Sequence, residues 1–337
     1  MRSNCTRLLL LSMCLPLSAC GGWQSALDAH GASAITLKQL IILIVAVCSL
    51  VWGLVMAALI RALRLRRPER ARPAAERDPR RERRMSGLVI AATIATMVVI
   101  AGFTVASFLT TRALSMAGPD DLTIKIGGSQ WWWNVQYLDP QPEKNFQTAN
   151  EIHIPVRRNV RFQLEGDDVI HSFWVPSLAG KQDLIPGRPN ELSIRAERAG
   201  VYRGQCAEFC GLQHAHMAFL VIAETQEAFD KWAEAQRQPA INPADEESAA
   251  GRDAFVAKAC ASCHTIRGTL ASGTTGPDLT HVGARKYIGA GLFETSRGSL
   301  AAWIADPQTL KPGNNMPMVP LTSEELRSIS AYVASLK

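Results

Sequence analysis

Two long stretches without charged residues stand out in the first third of the chain. They cover residues 40–60 and 87–109 and therefore contain 21 and 23 residues. At 1.5 Å per residue, a helix of either length crosses the ~30 Å hydrocarbon core of a bilayer. The pattern therefore predicts a hairpin of two transmembrane helices within an N-terminal region that covers residues 20–110.

Beyond residue 118 the pattern changes to short segments in which apolar and polar residues alternate. Residues 122–126, 151–156 and 159–164 are bounded by Gly, Pro or Asn, and residues 219–222 end the series. Alternation with a period of two in β-rich segments indicates half-buried strands. Residues 118–225 are therefore predicted to form an all-β antiparallel Greek-key sandwich. A linker over residues 226–247 follows, of which residues 226–237 have a helical pattern.

Residues 248–337 have the pattern of helices throughout. The last predicted helix begins with a capping box, in which Thr322 is followed three residues later by Glu325. Four apolar residues then fall on one helical face: Leu326, Ile329, Val333 and Leu336. The sequence thus predicts a multidomain membrane protein with two membrane helices, an all-β domain and an all-α domain.

The first nineteen residues have the features of an export signal. Arg2 and Arg7 precede an apolar core at residues 8–17, which is too short to span a bilayer. The sequence Leu-Ser-Ala-Cys that ends at Cys20 resembles a bacterial lipobox, which would make Cys20 the lipidated first residue of the mature chain. The alternative is an ordinary cleavage site that happens to contain a cysteine.

The positive charge of the chain is concentrated in one segment. The formal net charge is +6, and residues 61–84 contain eleven Arg against four acidic residues, which is +7. The rest of the chain is therefore near −1, which argues against nucleic-acid binding. Arg-rich loops between membrane spans stay in the cytoplasm. Both predicted domains should then lie on the outer, periplasmic face of a bacterial inner membrane.

A run of metal-binding residue types occupies residues 206–217, which we call the cysteine loop. The pattern C-x-E-x-C-x-x-x-H-x-x-M, together with an upstream histidine, supplies the six candidate ligands His171, Cys206, Glu208, Cys210, His214 and Met217. Thiolate, imidazole and thioether are soft donors that suit copper. The two cysteines can bridge a pair of ions, each histidine can cap one ion, and Met217 can act as a weak axial ligand. The alternative is a disulfide with surface histidines. Such a loop is typical of a cupredoxin sandwich.

A second cysteine pair indicates covalent haem. Cys260, Cys263 and His264 form the C-x-x-C-H pattern, in which two thiols attach the porphyrin and the histidine binds iron. A redox pair or half of a zinc site would use the same cysteines without the adjacent histidine. The sixth iron ligand should be a downstream Met. Met316 is preferred and Met318 is the competitor, since both lie in one Pro-Gly-Asn-Asn-Met-Pro-Met run.

These motifs resemble the CuA domain of cytochrome c oxidase subunit II, fused to a class I cytochrome c domain as in caa-type haem-copper oxidases. The similarity also includes residues 24–28, Gln130-Trp131-Trp132-Trp133, residues 171–176 and residues 185–188. It implies that Cys206 and Cys210 bridge two coppers. It further implies that Glu208 gives a backbone carbonyl to copper, and a carboxylate to a magnesium ion shared with subunit I. Trp131 would be the residue where electrons enter, although aromatic clusters more often serve packing.

The resemblance implies an electron-entry subunit of a proton-translocating respiratory oxidase. Electrons would pass from a soluble cytochrome c-type donor, through haem c and binuclear copper, to subunit I. Other oxidase subunits and membrane lipid would be the further partners. The alternatives are the equivalent subunit of a CuA-type nitric oxide reductase and a copper-delivery lipoprotein. One family feature is missing, because Glu82 is followed by Met85 and Val89 where many relatives carry Trp and Pro.

Overall fold

A computed structural model describes residues 22, 24–65, 79–114 and 122–337. The predicted signal peptide, including Cys20, lies outside the described residues. The described residues form two compact units. One comprises the long helices from Thr36 onward, and the other comprises the preceding N-terminal residues together with residues 122–337.

The two predicted membrane spans are helical. They lie within α1 (Ala32–Arg64) and α2 (Pro79–Leu114), which contain 33 and 36 residues. At 1.5 Å per residue both exceed the length needed to cross a bilayer. Their apolar side chains are exposed, with Trp52 at 67% and Leu88 at 71%. A helix that is apolar on all sides and exposed in this way is suited to lipid.

Ten strands form the β-sandwich. They are β1 (Leu122–Ser129), β2 (Trp132–Leu138), β3 (Phe146–Ala149), β4 (Glu151–Pro155), β5 (Val160–Gly166), β6 (His171–Trp174), β7 (Gln182–Leu184), β8 (Asn190–Ile194), β9 (Gly200–Cys206) and β10 (Ala218–Glu224). One sheet has the order β3-β2-β1-β5-β8 and the other has β4-β10-β9-β6-β7. The prediction of antiparallel pairing is wrong in two places, because β1 pairs with β5 and β4 with β10 in parallel.

The core of the sandwich consists of the inward-facing residues, which alternate with outward-facing ones along the strands. Ile124, Phe162 and Trp133 are fully buried. The ring of Trp133 meets that of Phe219 edge-on at a centroid distance of 5.1 Å. After β10 the helix α3 (Gln226–Arg237) begins at an N-cap, Thr225. The cupredoxin-like sandwich is therefore as predicted.

The C-terminal residues 246–337, here called the helical domain, have a separate core. Their helices are α4 (Glu246–Ala257), α5 (Cys260–Cys263), α6 (Arg297–Ala305), α7 (Pro307–Leu310) and α8 (Ser323–Ser335). The predicted capping box at Thr322 is confirmed. The domain also contains a short antiparallel ribbon, Tyr287–Ile288 with Phe293–Glu294, which the helical pattern did not predict.

Hydrogen bonds join the helical domain to the sandwich. The backbone N–H of Ala218 donates to the carbonyl of Ala290 at 3.0 Å. The backbone N–H of Lys286 donates to the carboxylate of Glu151 at 2.8 Å. The two domains therefore share an interface that is formed close to the end of the cysteine loop.

The crossing of α4 and α8 depends on Gly251. A Cβ at this position would lie 2.0 Å from the carbonyl oxygen of Ser328. We expect Gly251→Ala to lower the free energy of unfolding of the helical domain by about 1–3 kcal/mol, because overpacking forces helices apart. Thermal unfolding of the full chain, followed by circular dichroism, measures the effect.

Gly298→Ala is the matched control for that substitution. Gly298 also lies in a helix, α6, and its nearest neighbour to an added Cβ is the Ser296 hydroxyl at 3.8 Å. This variant should unfold at the temperature of the parent chain or slightly above it. Equal effects of the two substitutions would contradict the packing argument.

Candidate functional site

The six residues predicted to bind copper converge at one end of the sandwich. β9 ends at Cys206, and the adjacent antiparallel strand β6 begins at His171. Both side chains therefore lie at the same end of the sheet. The cysteine loop returns from Cys206 to the start of β10 and contributes Glu208, Cys210, His214 and Met217.

The sulfur and nitrogen atoms of this group lie close together. The two Sγ atoms of Cys206 and Cys210 are 3.7 Å apart. The Nδ1 atom of His171 is 3.9 Å from Cys206 Sγ, and the Nδ1 atom of His214 is 3.6 Å from Cys210 Sγ. Met217 Sδ lies 3.9 Å from Cys210 Sγ. Each cysteine thus has one histidine beside it, and only Cys210 has the methionine.

The two cysteines carry free thiols. A sulfur separation of 3.7 Å is well beyond a disulfide bond of ~2.05 Å, and both side chains are buried. The Cys210 thiol, followed by His171 and the backbone, lowers the pKa of Cys206 to about 3, although burial opposes the shift. The same pairing raises the pKa of Cys210. One thiolate therefore forms readily, and a cation is needed to stabilise a second one beside it.

His171 is held in orientation from behind. Its Nε2 atom is 2.8 Å from the carboxylate of Asp168, which leaves Nδ1 to face the cysteines. Burial alone would lower the pKa of His171, but hydrogen bonds with Cys206 and Asp168 raise it above the ordinary value. A Cβ on Gly128 would lie 2.9 Å from the imidazole, so a glycine there leaves room for the ring.

The backbone and the side chain of Glu208 point to different neighbours. Its carbonyl oxygen is 3.2 Å from Cys206 Sγ, inside the ligand group. Its carboxylate is half-exposed and lies 3.5 Å from the Lys181 ammonium. The carbonyl is therefore available to a metal in the loop, while the carboxylate faces outward, where a neighbouring subunit could reach it.

A cavity of about 340 Å³ lies within the helical domain and at its boundary with the sandwich. Cys260, Cys263 and His264 line it, as does Met316. The Nδ1 atom of His264 is 2.8 Å from the carbonyl of Pro277, which leaves Nε2 free to bind a metal. Burial lowers the pKa of His264, so its imidazole stays neutral, as a ligand must be. The cavity, the thiols and the free nitrogen fit a covalently attached haem.

The two candidate methionines differ in position. Met316 is half-buried and lines the cavity. Its backbone is fixed at both ends, because its N–H donates to Asn314 and its carbonyl accepts from Gln308, each at 2.8 Å. Met318 is 59% exposed and is not among the residues that line the cavity.

Trp131 lies between the cavity and the cysteine loop. It occupies the turn before β2, so strand alternation does not fix its direction. Trp131 lines the cavity, and its Nε1 atom donates a hydrogen bond of 2.9 Å to the carbonyl of Cys210. The Gln130 side chain donates to the same carbonyl at 2.7 Å. One residue therefore borders both candidate cofactor sites.

Sequence reasoning missed three residues at these sites. Asp168, which orients His171, lies in the same short segment and could have been inferred from its spacing. Arg285 is buried beside the cavity, and its Nε atom has no hydrogen-bond partner in the described structure. Lys311 is also buried there. Lys311 gave no local signal, because the carbonyls around it come from distant parts of the chain. The partner of Arg285 is nearer, since its guanidinium donates to the carbonyl of Asp278, but a backbone acceptor has no sequence pattern.

Asp168→Asn should weaken copper binding. The substitution keeps the shape of the side chain but weakens its hydrogen bond to His171, and the loss of such a supporting bond typically lowers metal affinity about 10–100-fold. Copper affinity can be measured by competition with a chelator. The copper paramagnetic resonance spectrum should still show an electron shared by two nuclei.

Asp167→Asn provides the control on the same loop. Its carboxylate accepts from the Ser129 hydroxyl at 2.7 Å, and no hydrogen bond joins it to His171 among the described contacts. Asp167→Asn removes the same charge as Asp168→Asn but leaves the orientation of His171 unchanged. Its copper affinity should therefore stay within about twofold of the parent chain. If both variants lost affinity equally, the loss would come from charge and not from orientation.

Comparison with known proteins agrees with this geometry. Residues 138–224 match the family "Cytochrome C oxidase subunit II, periplasmic domain", and residues 248–337 match the family "Cytochrome c". Cytochrome c oxidase subunit 2 of Alkalihalophilus pseudofirmus is 34% identical over 98% of this chain and 97% of its own length. The Bacillus subtilis protein of that name is 31% identical over 65% of this chain and 63% of its own.

Among solved structures, the periplasmic domain of subunit II of the Bradyrhizobium japonicum cytochrome oxidase is 35% identical. It matches 36% of this chain and 97% of that domain, with a TM-score of 0.34. The relative from Alkalihalophilus pseudofirmus is similar to the chain over nearly its full length, so the similarity includes the membrane helices, the sandwich and the helical domain together. The chain therefore belongs to the cytochrome c oxidase subunit 2 family, as an inner-membrane member with periplasmic domains and a fused cytochrome c domain.

Proposed function

We propose that this chain is the electron-entry subunit of a respiratory cytochrome c oxidase. Electrons from a soluble cytochrome c-type donor would reach the oxygen-reducing subunit I by way of covalent haem c and a binuclear copper centre, both held by this chain. The observation that carries the proposal is the position of Trp131. Trp131 lines the cavity proposed for haem, and its Nε1–H donates to the carbonyl of Cys210, a proposed copper ligand.

The cysteine loop supplies the copper ligands in this proposal. The two copper ions would be held by the thiolates of Cys206 and Cys210, the imidazoles of His171 and His214, the thioether of Met217 and the backbone carbonyl of Glu208. When bound, a copper pair takes up and releases single electrons with little rearrangement, because the charge is shared by both ions. The buried Cys206, Cys210 and Met217 keep water from the ligand atoms.

The helical domain supplies the haem ligands. Cys260 and Cys263 would attach the haem covalently, and His264 and Met316 would be the ligands of its iron. The carbonyl of Pro277 fixes the ring of His264. A Cβ on Gly276 would lie 2.7 Å from that imidazole, so glycine at this position preserves the space that the ring occupies.

The membrane helices would anchor the subunit beside subunit I and other oxidase subunits. The Arg-rich sequence between them supports a cytoplasmic connection, since positively charged loops remain inside. The protein would then cross the membrane twice, with both domains in the periplasm. The exposed carboxylate of Glu208 is the group that we assign to a magnesium ion at the contact with subunit I, in a proton-translocating complex.

Two other functions use the same residues in part. A CuA-type nitric oxide reductase would need the same chain with a different catalytic subunit. A copper-delivery lipoprotein would need the cysteine loop, but it would need neither the haem cavity nor Trp131 between the two sites. The presence of both favours electron transfer over copper delivery.

Gas consumption by the purified membrane complex tests the proposal. Supplied with a reduced cytochrome c donor, the complex should consume oxygen and lose that activity when copper is removed by a chelator. Consumption of nitric oxide without oxygen uptake would support the reductase instead. A complex that consumes neither gas, while the chain passes copper to other proteins, would support the delivery function.

Met316→Ala should remove the weak absorption band that arises from a sulfur-to-iron bond in the oxidised haem. Loss of the thioether leaves the iron without its sixth ligand, so the haem potential should also fall. Optical spectroscopy of the full chain records both changes. Met318→Ala is the matched control, because Met318 lies three-fifths exposed in the same loop. Loss of the band in this variant alone would contradict the assignment.

A further inference from the structure

A lysine of the helical domain is buried at the interface with the sandwich. Lys311 directly follows α7 and is only 2% exposed. Its Nζ atom donates to the carbonyls of Trp131 and His216 at 2.8 Å and of Gly289 at 2.9 Å. An ammonium has three N–H groups and no acceptor, so three carbonyls satisfy its charged form.

Two of the three acceptors belong to the sandwich. Only Gly289 lies in the same domain as Lys311, so the ammonium would lose most of its partners if the domains separated. A buried charge without partners is costly. Burial lowers the pKa of Lys311 to about 7, whereas only the charged form can donate to all three carbonyls at once. The side chain is therefore suited to the docked arrangement of the two domains.

The residues that follow Lys311 also lie along the sandwich. The carbonyl of Pro312 accepts from the side chain of Gln213 at 2.9 Å. A Cβ on Gly313 would lie 3.5 Å from the ring of Trp131. The Asn315 side chain donates to the carbonyl of Gln130 at 3.4 Å. Residues 311–315, which lead directly to Met316, are thus seated on Trp131 and the cysteine loop.

Lys311 also completes a restraint on Trp131. The tryptophan side chain is fixed by its bond to the carbonyl of Cys210, and its own carbonyl is fixed by Lys311. The second sandwich acceptor, His216, immediately precedes the ligand residue Met217 in the cysteine loop. One ammonium therefore connects the start of the methionine segment, the entry tryptophan and the copper-binding loop.

We propose that Lys311 is a positioning residue for electron transfer between the haem and the copper centre. It holds the segment that leads to Met316 against Trp131 and the cysteine loop, and so fixes the separation of the two sites. Its ammonium also lies against the cysteine loop, at the carbonyl of His216, where a positive charge would favour the reduced form of a copper pair. This inference rests on the proposed electron-entry function.

The test compares Lys311→Met with the parent protein in the intact, fully loaded complex. Met has a similar length but neither charge nor N–H groups. After flash reduction of the haem, transfer to copper should slow by about tenfold or more, because small errors in position cost large factors in rate. The midpoint potential of copper should fall, while the optical spectra of both centres stay unchanged.

Two further variants separate position from charge. Lys311→Gln has no charge but keeps N–H donors, so it should recover part of the transfer rate without recovering the potential. Lys231→Met removes the same charge from an exposed position on α3 and should change neither quantity. If Lys311→Met does not bind haem and copper, the same measurements on Lys311→Gln test the role of Lys311.

Hydrogen exchange provides a readout that needs no electron transfer. The backbone N–H groups of Ala218 and Lys286 donate across the interface and should exchange faster in Lys311→Met. Transfer within twofold of the parent rate, with unchanged exchange, would overturn the positioning role. If the parent protein itself shows no transfer from haem to copper, the proposed function fails, and exchange alone then decides whether Lys311 holds the interface.

Discussion

The hydrogen bond from Trp131 Nε1 to the carbonyl of Cys210 is the contact on which the arrangement depends. It fixes Trp131, a residue that lines the cavity of the helical domain, to the backbone of the cysteine loop. Both ends of the bond belong to the sandwich, whereas most of the cavity lies in the helical domain. Trp131 therefore reaches the cavity only when the two domains are docked, and the interface around Lys311 and Ala218 provides that docking.

The rigid sandwich core makes such a connection reproducible. The ring of Trp133 meets those of His171 and Phe173 edge-on, so the first of the proposed copper ligands packs against the same aromatic cluster that fills the core. Close packing restricts movement of side chains in protein interiors. A ligand group built on strand ends and a short loop is thereby held in one geometry, which limits rearrangement when the charge on a bound metal changes.

Local patterns predicted much of this protein. The length of the two apolar stretches predicted the two long helices, and the alternation of apolar and polar residues predicted the sandwich. The spacing of residues from Cys206 to Met217 identified a loop whose candidate ligand atoms the fold brings together. Parallel pairing of β1 with β5 was not predictable, because alternation does not specify a strand's partner. Lys311 was missed since its acceptors lie 22, 95 and 180 residues away in sequence. Its role depends on tertiary contacts alone.

In the proposed function, one chain carries both redox sites, and electrons pass between them within one molecule. The most direct measurement follows absorbance at the haem and at the copper pair after flash reduction of the purified, loaded chain at several protein concentrations. If electron transfer is internal, the haem is oxidised as copper is reduced, with a single rate that does not depend on concentration. A rate that rises in proportion to concentration would contradict it, because transfer would then require collision between separate molecules.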